Sequence, residues 1–220
     1  MTTSGRCLIG GMLYAPASGE THPALDPSDG SEIGRVARGG ADDIDAAVAA
    51  ARAAFTGAWG RATAAERGRL LSRLGRVIEN RAESFALTEA RDVGKPLSQA
   101  RNDVRALARY LEFYGGAADK LHGETIPYLD GFTVFTLREP HGVTGHIIPW
   151  NYPLQIIGRS VVAALAAGNA CVVKPAEEAS IGALAFAELA LEVGLPPGAL
   201  NVVPGTGAGA GAALAGHPGV

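Results

Sequence analysis

Two short segments of this chain place polar side chains directly after runs of apolar residues. The first is Ile147-Ile148-Pro149-Trp150-Asn151, in which a strand-like run leads to a single amide side chain. An amide at the end of a strand can donate a hydrogen bond to a carbonyl oxygen as negative charge develops there, which stabilises a transition state in a dry site. The alternative is that Asn151 caps the helix that follows it.

The second segment is Lys174-Pro175-Ala176-Glu177, which also follows an apolar run. A lysine and a carboxylate this close together can hold the hydroxyl groups of a ribose, the lysine as donor and the carboxylate as acceptor of two hydrogen bonds. The alternative is an ordinary ion pair on the surface, which contributes little to stability.

A third segment is rich in glycine, with Gly205, Gly207, Gly209 and Gly211 at alternate positions. It is either a flexible, poorly helical stretch or a backbone that a nucleotide can approach closely. The spacing does not fit the dinucleotide fingerprint GxGxxG, because position 210 is Ala, so this signal alone is weak.

Other reactive side chains do not form recognisable sites. Cys171 stands in the middle of an apolar run, which predicts a buried, unreactive thiol. Cys7 and Cys171 form no CxxC pair, and none of the five histidines has the spacing of a metal ligand. We therefore predict no metal site. The chain also lacks the GxSxG, HExxH and Walker A patterns.

From His141 onward the pattern alternates between strand and helix. The predicted strands cover 143–149, 170–174 and 200–203, and the predicted helices cover 154–167, 180–193 and 207–215. This order predicts an α/β fold with a Rossmann-like parallel sheet and covering helices, of which about three strands are present. Ligands bind at the carboxyl ends of such strands, which is where all three segments fall. Ser180 is expected to cap its helix.

The region before residue 121 is predicted to be mainly helical. Residues 8–40 look irregular, with possible strands at Leu8-Ile9 and 33–36, and Asp42 or Asp43 can cap the first of four amphipathic helices. Residues 125–137 predict a protruding β-hairpin around the tight turn Asp130-Gly131. Such a hairpin is a candidate subunit contact.

Composition limits the function further. The 220 residues are 47% apolar, so the chain can bury a sizeable core. A net charge of −3 and a pI near 6.0 favour neither nucleic acid nor an anionic membrane as a partner. The sequence shows no signal peptide and no apolar run of about 18 residues, the length of a membrane span. We therefore expect a cytoplasmic protein.

Taken together, these residues resemble the NAD(P)-dependent aldehyde dehydrogenase superfamily, and the likeness extends over essentially the whole chain. The motifs that carry it are Ile9-Gly10-Gly11, Ser18-Gly19-Glu20, Asp92-Val93-Gly94-Lys95-Pro96, Gly123-Glu124-Thr125-Ile126-Pro127, Ile148-Pro149-Trp150-Asn151-Tyr152-Pro153, Ala167-Gly168-Asn169, Lys174-Pro175-Ala176-Glu177 and Asn201-Val202-Val203-Pro204-Gly205-Thr206-Gly207. Their combination is highly specific.

The resemblance implies a mechanism in which a cysteine thiolate attacks an aldehyde, hydride passes to the nicotinamide, and a glutamate base activates water to hydrolyse the thioester. Asn151 matches the oxyanion-stabilising amide. The positions that match cofactor contacts are Ile147, Ile148, Pro149, Trp150, Lys174, Ala176, Glu177, Gly207 and Gly211. The carboxylate of Glu177 would repel a 2′-phosphate, which favours NAD, with NADP as the alternative.

The resemblance also implies a domain plan. Residues 1–121 and 141–220 match the first part of a dinucleotide-binding domain, residues 122–140 match an oligomerisation hairpin of a dimer or tetramer, and a catalytic domain is absent. Arg159-Ser160 replaces the Trp-Lys pair of many members on the helix that lines the substrate tunnel, so the particular aldehyde is open.

The family's catalytic cysteine and glutamate have no match in the chain, so we expect a truncated enzyme that does not oxidise aldehydes by itself. The sheet is expected to be cut after its third strand, leaving that strand with an unpaired edge. The alternatives are a non-catalytic nucleotide-binding or interaction module, and an incomplete gene product without a stable fold.

Overall fold

A computed structural model describes residues 5–220 and has the predicted α/β class. Four short strands come first: β1 Cys7–Ile9, β2 Met12–Tyr14, β3 Thr21–Leu25 and β4 Glu32–Ala37. The predicted strands at Leu8-Ile9 and 33–36 are therefore confirmed, and two more accompany them. β3 and β4 pair with each other as an antiparallel ribbon apart from the main sheet.

Helices fill the next part of the chain: α1 Ala41–Thr56, α2 Ala58–Arg61, α3 Ala64–Asn80, α4 Ala82–Val93 and α5 Leu97–Ala117. Their apolar stripes are buried, as the 3.6-residue period predicts. The cap of α1 differs from the expectation, because Gly40 holds the N-cap position. Asp43 is the third residue of the helix and accepts a hydrogen bond from the Gly40 N–H (2.9 Å).

The predicted hairpin is present but short. Its strands, β5 Thr125–Ile126 and β6 Val134–Phe135, form only two residue pairs. Pro127 follows directly after β5 and has no N–H with which to extend the ladder. Asp130-Gly131 lies at the tip, where Gly131 has φ 84°. Its large apolar side chains are exposed at Ile126, Tyr128, Leu129, Phe132, Phe135 and Leu137.

The remaining elements alternate as predicted: β7 Val143–Ile148, α6 Pro153–Ile156, α7 Val162–Ala166, β8 Ala170–Pro175, α8 Ile181–Glu192, β9 Leu200–Val202 and α9 Ala212–Gly216. A π-helical turn precedes α7 at Ile157–Val161, and another precedes α9 at Gly207–Gly211. Single π-helical turns inside helices are frequent at functional sites.

The main sheet has the order β2-β1-β9-β8-β7, with β7, β8 and β9 parallel. The expectation of an unpaired edge on the third parallel strand is wrong. The first strand of the chain, β1, pairs antiparallel with β9, with Leu8 opposite Val202. The two outer strands of the sheet are β2 and β7.

The start of α8 also differs from the prediction. Ser180 stands at the N-cap position but makes no capping bond to the helix, and its hydroxyl instead donates to the Ala176 carbonyl (2.8 Å). The carboxylate of Asp92, at the end of α4, accepts hydrogen bonds from the N–H groups of Ile181 (2.9 Å) and Gly182 (3.2 Å). A distant acidic side chain therefore satisfies two of the free donors of this buried helix.

Candidate dinucleotide site

The three polar segments meet at one edge of the sheet. In the parallel register Ile147 lies opposite Lys174, and Val173 lies opposite Val202. The carboxyl ends of β7, β8 and β9 are therefore side by side, which is the usual place for a ligand in an open parallel sheet.

The turns after β8 and β9 are joined by a hydrogen bond between two predicted site residues. The Gly207 N–H, at the start of the π-helical turn, donates to Oε2 of Glu177 (3.1 Å). Lys174 is 4% exposed, and its Cδ would lie 3.8 Å from a methyl group built on Gly211. The structure thus brings Lys174, Glu177, Gly207 and Gly211 together, as a shared site requires.

Lys174 and Glu177 are not a simple surface pair. In the part of the chain that the structure describes, no ion pair joins them. Burial lowers the pKa of Lys174, while the nearby Glu177 and Glu178 carboxylates oppose this effect. The Glu177 carboxylate has a second oxygen, Oε1, that can accept a hydrogen bond from a hydroxyl group.

Gly207 differs from the neighbouring Gly205 in the space around it. A methyl group built on Gly205 would lie 2.5 Å from the Gly39 carbonyl oxygen, so packing requires glycine there. At Gly207 the same methyl group has no atom of residues 5–220 within 4 Å, chain neighbours aside, and φ is not positive. Neither packing nor backbone geometry explains this glycine, whereas close approach of a ligand would.

The turn after β7 presents most of its side chains to solvent. Ile148 is 2% exposed and offers little surface to a ligand, whereas Trp150 is 58% exposed. Asn151 is exposed and makes no hydrogen bond to residues 5–220. The structure does not show it capping α6, whose N-cap residue is Tyr152. The amide of Asn151 is therefore available as a donor.

Both cysteines are unsuited to nucleophilic chemistry. Cys7 and Cys171 are fully buried, and burial raises the pKa of each thiol to about 12. The thiolate is the reactive form of cysteine, so both are inert near neutral pH. The interpretation of Cys171 as a buried, structural residue is confirmed.

One feature beside the site has no clear sequence signal. A cleft of about 570 Å³ lies between the β3–β4 ribbon and the turns that carry Glu177 and Thr206. Nε2 of His22 is 3.1 Å from the Glu177 carbonyl oxygen. The sequence indicates no role for His22, because its spacing to other residues does not fit a metal ligand. Its place beside Glu177 follows from a contact across 155 residues, which local patterns do not reveal.

A model of the aldehyde dehydrogenase family matches residues 14–220. The chain belongs to the aldehyde dehydrogenase family. It is 49% identical over 210 residues to a hydroxyisobutyraldehyde dehydrogenase of Mycolicibacterium austroafricanum, covering 96% of this chain and 42% of that protein. It is 48% identical to the mitochondrial aldehyde dehydrogenase family 2 member B4 of Arabidopsis thaliana, with 96% and 39% coverage. The chain thus spans about two fifths of the length of these relatives.

Solved structures of family members have the same fold over this length. A candidate aldehyde dehydrogenase of Burkholderia cenocepacia superposes with a TM-score of 0.97 and 65% identity, covering 98% of this chain and 45% of that one. The NAD⁺ complex of an aldehyde dehydrogenase from Bacillus cereus superposes with a TM-score of 0.96 and 39% identity, with 99% and 45% coverage.

Within residues 5–220, no helix is long and apolar enough to cross a membrane. Over the same residues, no group of three or more His, Cys, Asp and Glu side chains is arranged to hold a metal ion.

Proposed function

We propose that this chain forms the NAD-binding part of an aldehyde dehydrogenase, which oxidises an aldehyde to a carboxylic acid. The observation that carries the proposal is the group of Lys174, Glu177 and Gly207 at the carboxyl ends of adjacent parallel strands. Lys174 and Glu177 hold the ribose of the adenosine half, while Ala176, Gly207 and Gly211 offer backbone and open space to the nucleotide.

The turn after β7 serves the reacting half of the cofactor. Ile147, Pro149 and Trp150 form an apolar wall, and the buried Ile148 supports it from within the core. The bound cofactor supplies a hydride acceptor. Asn151 donates a hydrogen bond to the aldehyde oxygen as that oxygen gains negative charge.

Residues 5–220 supply no suitable nucleophile of their own, because both cysteines are buried thiols of raised pKa. We propose that this chain alone binds NAD without oxidising aldehydes. Such binding is also what a non-catalytic nucleotide-binding module would show. Aldehyde-dependent NADH formation by the purified chain, abolished by Asn151→Ala, would contradict the proposed inactivity.

Cofactor choice follows from Glu177. Its carboxylate is fixed by the Gly207 N–H, so it cannot leave the ribose site without losing that hydrogen bond. A 2′-phosphate placed there meets a negative charge at close range. We therefore propose NAD as the preferred cofactor, with NADP binding more weakly.

Calorimetric titration with NAD tests the proposal. The variant Gly207→Ala tests whether NAD binds at the proposed site. The added methyl group meets no protein atom, so we expect an unchanged melting temperature together with about tenfold weaker NAD binding. Gly116→Ala is the matched control, since a methyl group there also meets nothing within residues 5–220. Failure of the parent chain to bind NAD at millimolar concentration, or equal affinity of parent and Gly207→Ala, would contradict the proposed site.

The exposed hairpin supports a homo-oligomer, which we propose to be a dimer or tetramer. Six large apolar side chains on β5, β6 and their flanks are exposed, which is unusual for so short a segment. Replacing Phe132 and Leu137 with Ser should reduce the mass measured by sedimentation without lowering the melting temperature. An unchanged mass would contradict this role. A cytoplasmic location remains a prediction.

A further inference from the structure

A buried charged cluster lies between α4 and α5, close to the turn after β7. The ammonium group of Lys95 is 3.0 Å from Oε1 of Glu89 and 2.6 Å from Oδ2 of Asp103. The Lys95 side chain is 7% exposed, and both carboxylates are more deeply buried. Removing three charged groups from water is costly, so such a cluster persists only when every partner is held in place.

The cluster reaches the turn through Tyr152 and the helix after it through Gln155. The Lys95 ammonium lies 4.7 Å from the centroid of the Tyr152 ring, within the range of a cation–π contact. The amide of Gln155 donates to Oδ1 of Asp103 (2.7 Å). Each contact joins the start of α6 to a residue more than 50 positions earlier in the chain.

Gln99 adds a third connection. Its amide donates to the Tyr152 hydroxyl (2.9 Å), so the Tyr152 ring is held at its face by Lys95 and at its tip by Gln99. Tyr152 therefore has a fixed position at the start of the helical segment that α6, the π-helical turn and α7 form together.

Asn151 and Trp150 lack comparable anchors. Asn151 makes no hydrogen bond to the described residues, and Trp150 is largely exposed. Their orientation is therefore set by the chain on either side: Ile148, buried at the end of β7, and Tyr152. We infer that Lys95, Gln99 and Asp103 are positioning residues, which hold Tyr152 and Gln155 so that Trp150 and Asn151 keep one orientation. The catalytic meaning of that orientation rests on the proposed function.

The electrostatics of the cluster agree with a rigid anchor. Two carboxylates face one ammonium, and Oε2 of Glu89 is buried without a hydrogen-bond partner among residues 5–220. Burial, the main effect, raises the pKa of Glu89, while Lys95 opposes it and Asp103 adds to it. Uptake of a proton by Glu89 would balance the charge while leaving Lys95 paired with Asp103.

Fluorine NMR of chain labelled with 5-fluorotryptophan tests the inference directly. The chain has two tryptophans, Trp150 and the buried Trp59, and Trp150→Phe assigns their two resonances. Tyr152→Phe and Gln99→Leu each remove one neutral hydrogen-bonding partner and leave no buried charge unpaired, so both variants should fold. Tyr128→Phe is the control for the first, because Tyr128 is exposed on the hairpin, and Ser98→Ala is the control for the second.

We expect both test variants to shift or broaden the Trp150 resonance and to leave the Trp59 resonance unchanged, with no change in either control. A Trp150 resonance identical to that of the parent in Tyr152→Phe and Gln99→Leu would overturn the inference. This spectrum needs no ligand, so its outcome is independent of whether the chain binds NAD.

Nucleotide binding supplies a second readout. If the parent binds both ligands, the two test variants should weaken NAD binding about threefold to tenfold and leave binding of AMP, which has no nicotinamide, within about twofold. Equal weakening of NAD and AMP binding would overturn the inference, because it would indicate general loosening rather than displacement of Trp150 and Asn151.

Discussion

The turn after β7 and the turn after β8 end neighbouring parallel strands, yet they are held in different ways. Side chains fix the first, since Lys95, Gln99 and Asp103 reach it and the start of α6 from α5 and from the segment before α5. Backbone groups fix the second, where carboxylates of Glu177 and Asp92 accept hydrogen bonds from main-chain N–H groups.

This difference has a consequence for what each turn can present. The side chains that hold the β7 turn contact Tyr152 and Gln155. They leave Trp150 and Asn151 exposed to solvent. An anchor made by backbone bonds uses the site's own carboxylate, so Glu177 is both part of the support and the proposed ligand contact. Loss of the Lys95 charge should therefore affect stability most, and loss of the Glu177 charge should affect binding.

The largest effect is expected from Lys95→Met. This change leaves Glu89 and Asp103 facing each other, buried, without a cation, which typically costs about 3–5 kcal/mol. The free energy of unfolding, measured by urea titration, should fall by that amount. Lys120→Met is the matched control, because Lys120 pairs with Asp119 at the surface and its side chain is 65% exposed. Similar losses of unfolding free energy in both variants would show that the buried cluster stabilises the fold no more than a surface ion pair does.

The contribution of Asp92, in the second anchor, should make the stability of the chain depend on pH. Burial, the main effect, raises the pKa of Asp92 from 3.8 to about 7, with Glu89 adding to the rise and the two N–H bonds opposing it. Between pH 3.8 and about pH 7, Asp92 holds a proton in the folded chain that it has lost in the unfolded chain. The contribution of Asp92 to stability is therefore full below pH 4 and is lost as the pH rises through about 7.

Asp92→Asn removes that titration while keeping an oxygen that can accept from Ile181 or Gly182. The stability of the parent relative to the variant should fall by at most about 4 kcal/mol between pH 4 and pH 7. Unfolding curves at several pH values measure this difference. A difference that stays constant with pH would mean that Asp92 has the same pKa in the folded and unfolded chain.

These anchors also mark the limit of what sequence patterns predict. The strands β7, β8 and β9 were predictable because strand-like segments alternate with helical ones after His141, and the positions of Asn151, Lys174 and Glu177 follow from where those strands end. Asp92 caps a helix that begins 89 residues later, and β1 joins a strand near the other end of the chain. Such contacts depend on how elements pack, which a local period of 2 or 3.6 residues does not encode.

The same reason explains the wrong expectation for Ser180. Its type and position are typical of a helix cap, but the Asp92 carboxylate already occupies the helix N–H groups. The Asp92 side chain reaches both N–H groups at once, while the Ser180 hydroxyl is bound to the Ala176 carbonyl. Tertiary contact therefore overrides the local preference at this position.

A smaller effect, confined to binding, is expected from Glu177→Gln. The amide keeps an oxygen for the Gly207 N–H but loses the charge and one acceptor site that a ribose uses. NAD affinity should fall about tenfold while NADP affinity changes little or rises, because the repulsion of a 2′-phosphate is removed. Calorimetry with both nucleotides measures this, with Glu178→Gln as the exposed neighbouring control. Parallel losses for NAD and NADP would contradict a role for Glu177 in cofactor choice.

The smallest effect is expected from Ser180→Ala. The Ala176 carbonyl that accepts the Ser180 hydroxyl also accepts from the Ala179 N–H (3.1 Å), so it keeps a partner when the hydroxyl is removed. The cost in unfolding free energy should therefore stay below about 1 kcal/mol, less than the loss of a true N-cap serine. Urea unfolding beside Asp92→Ala measures the ratio of the two costs. If Ser180→Ala were the more damaging of the two, the hydroxyl rather than the distant carboxylate would be what holds the start of α8 and the turn before it.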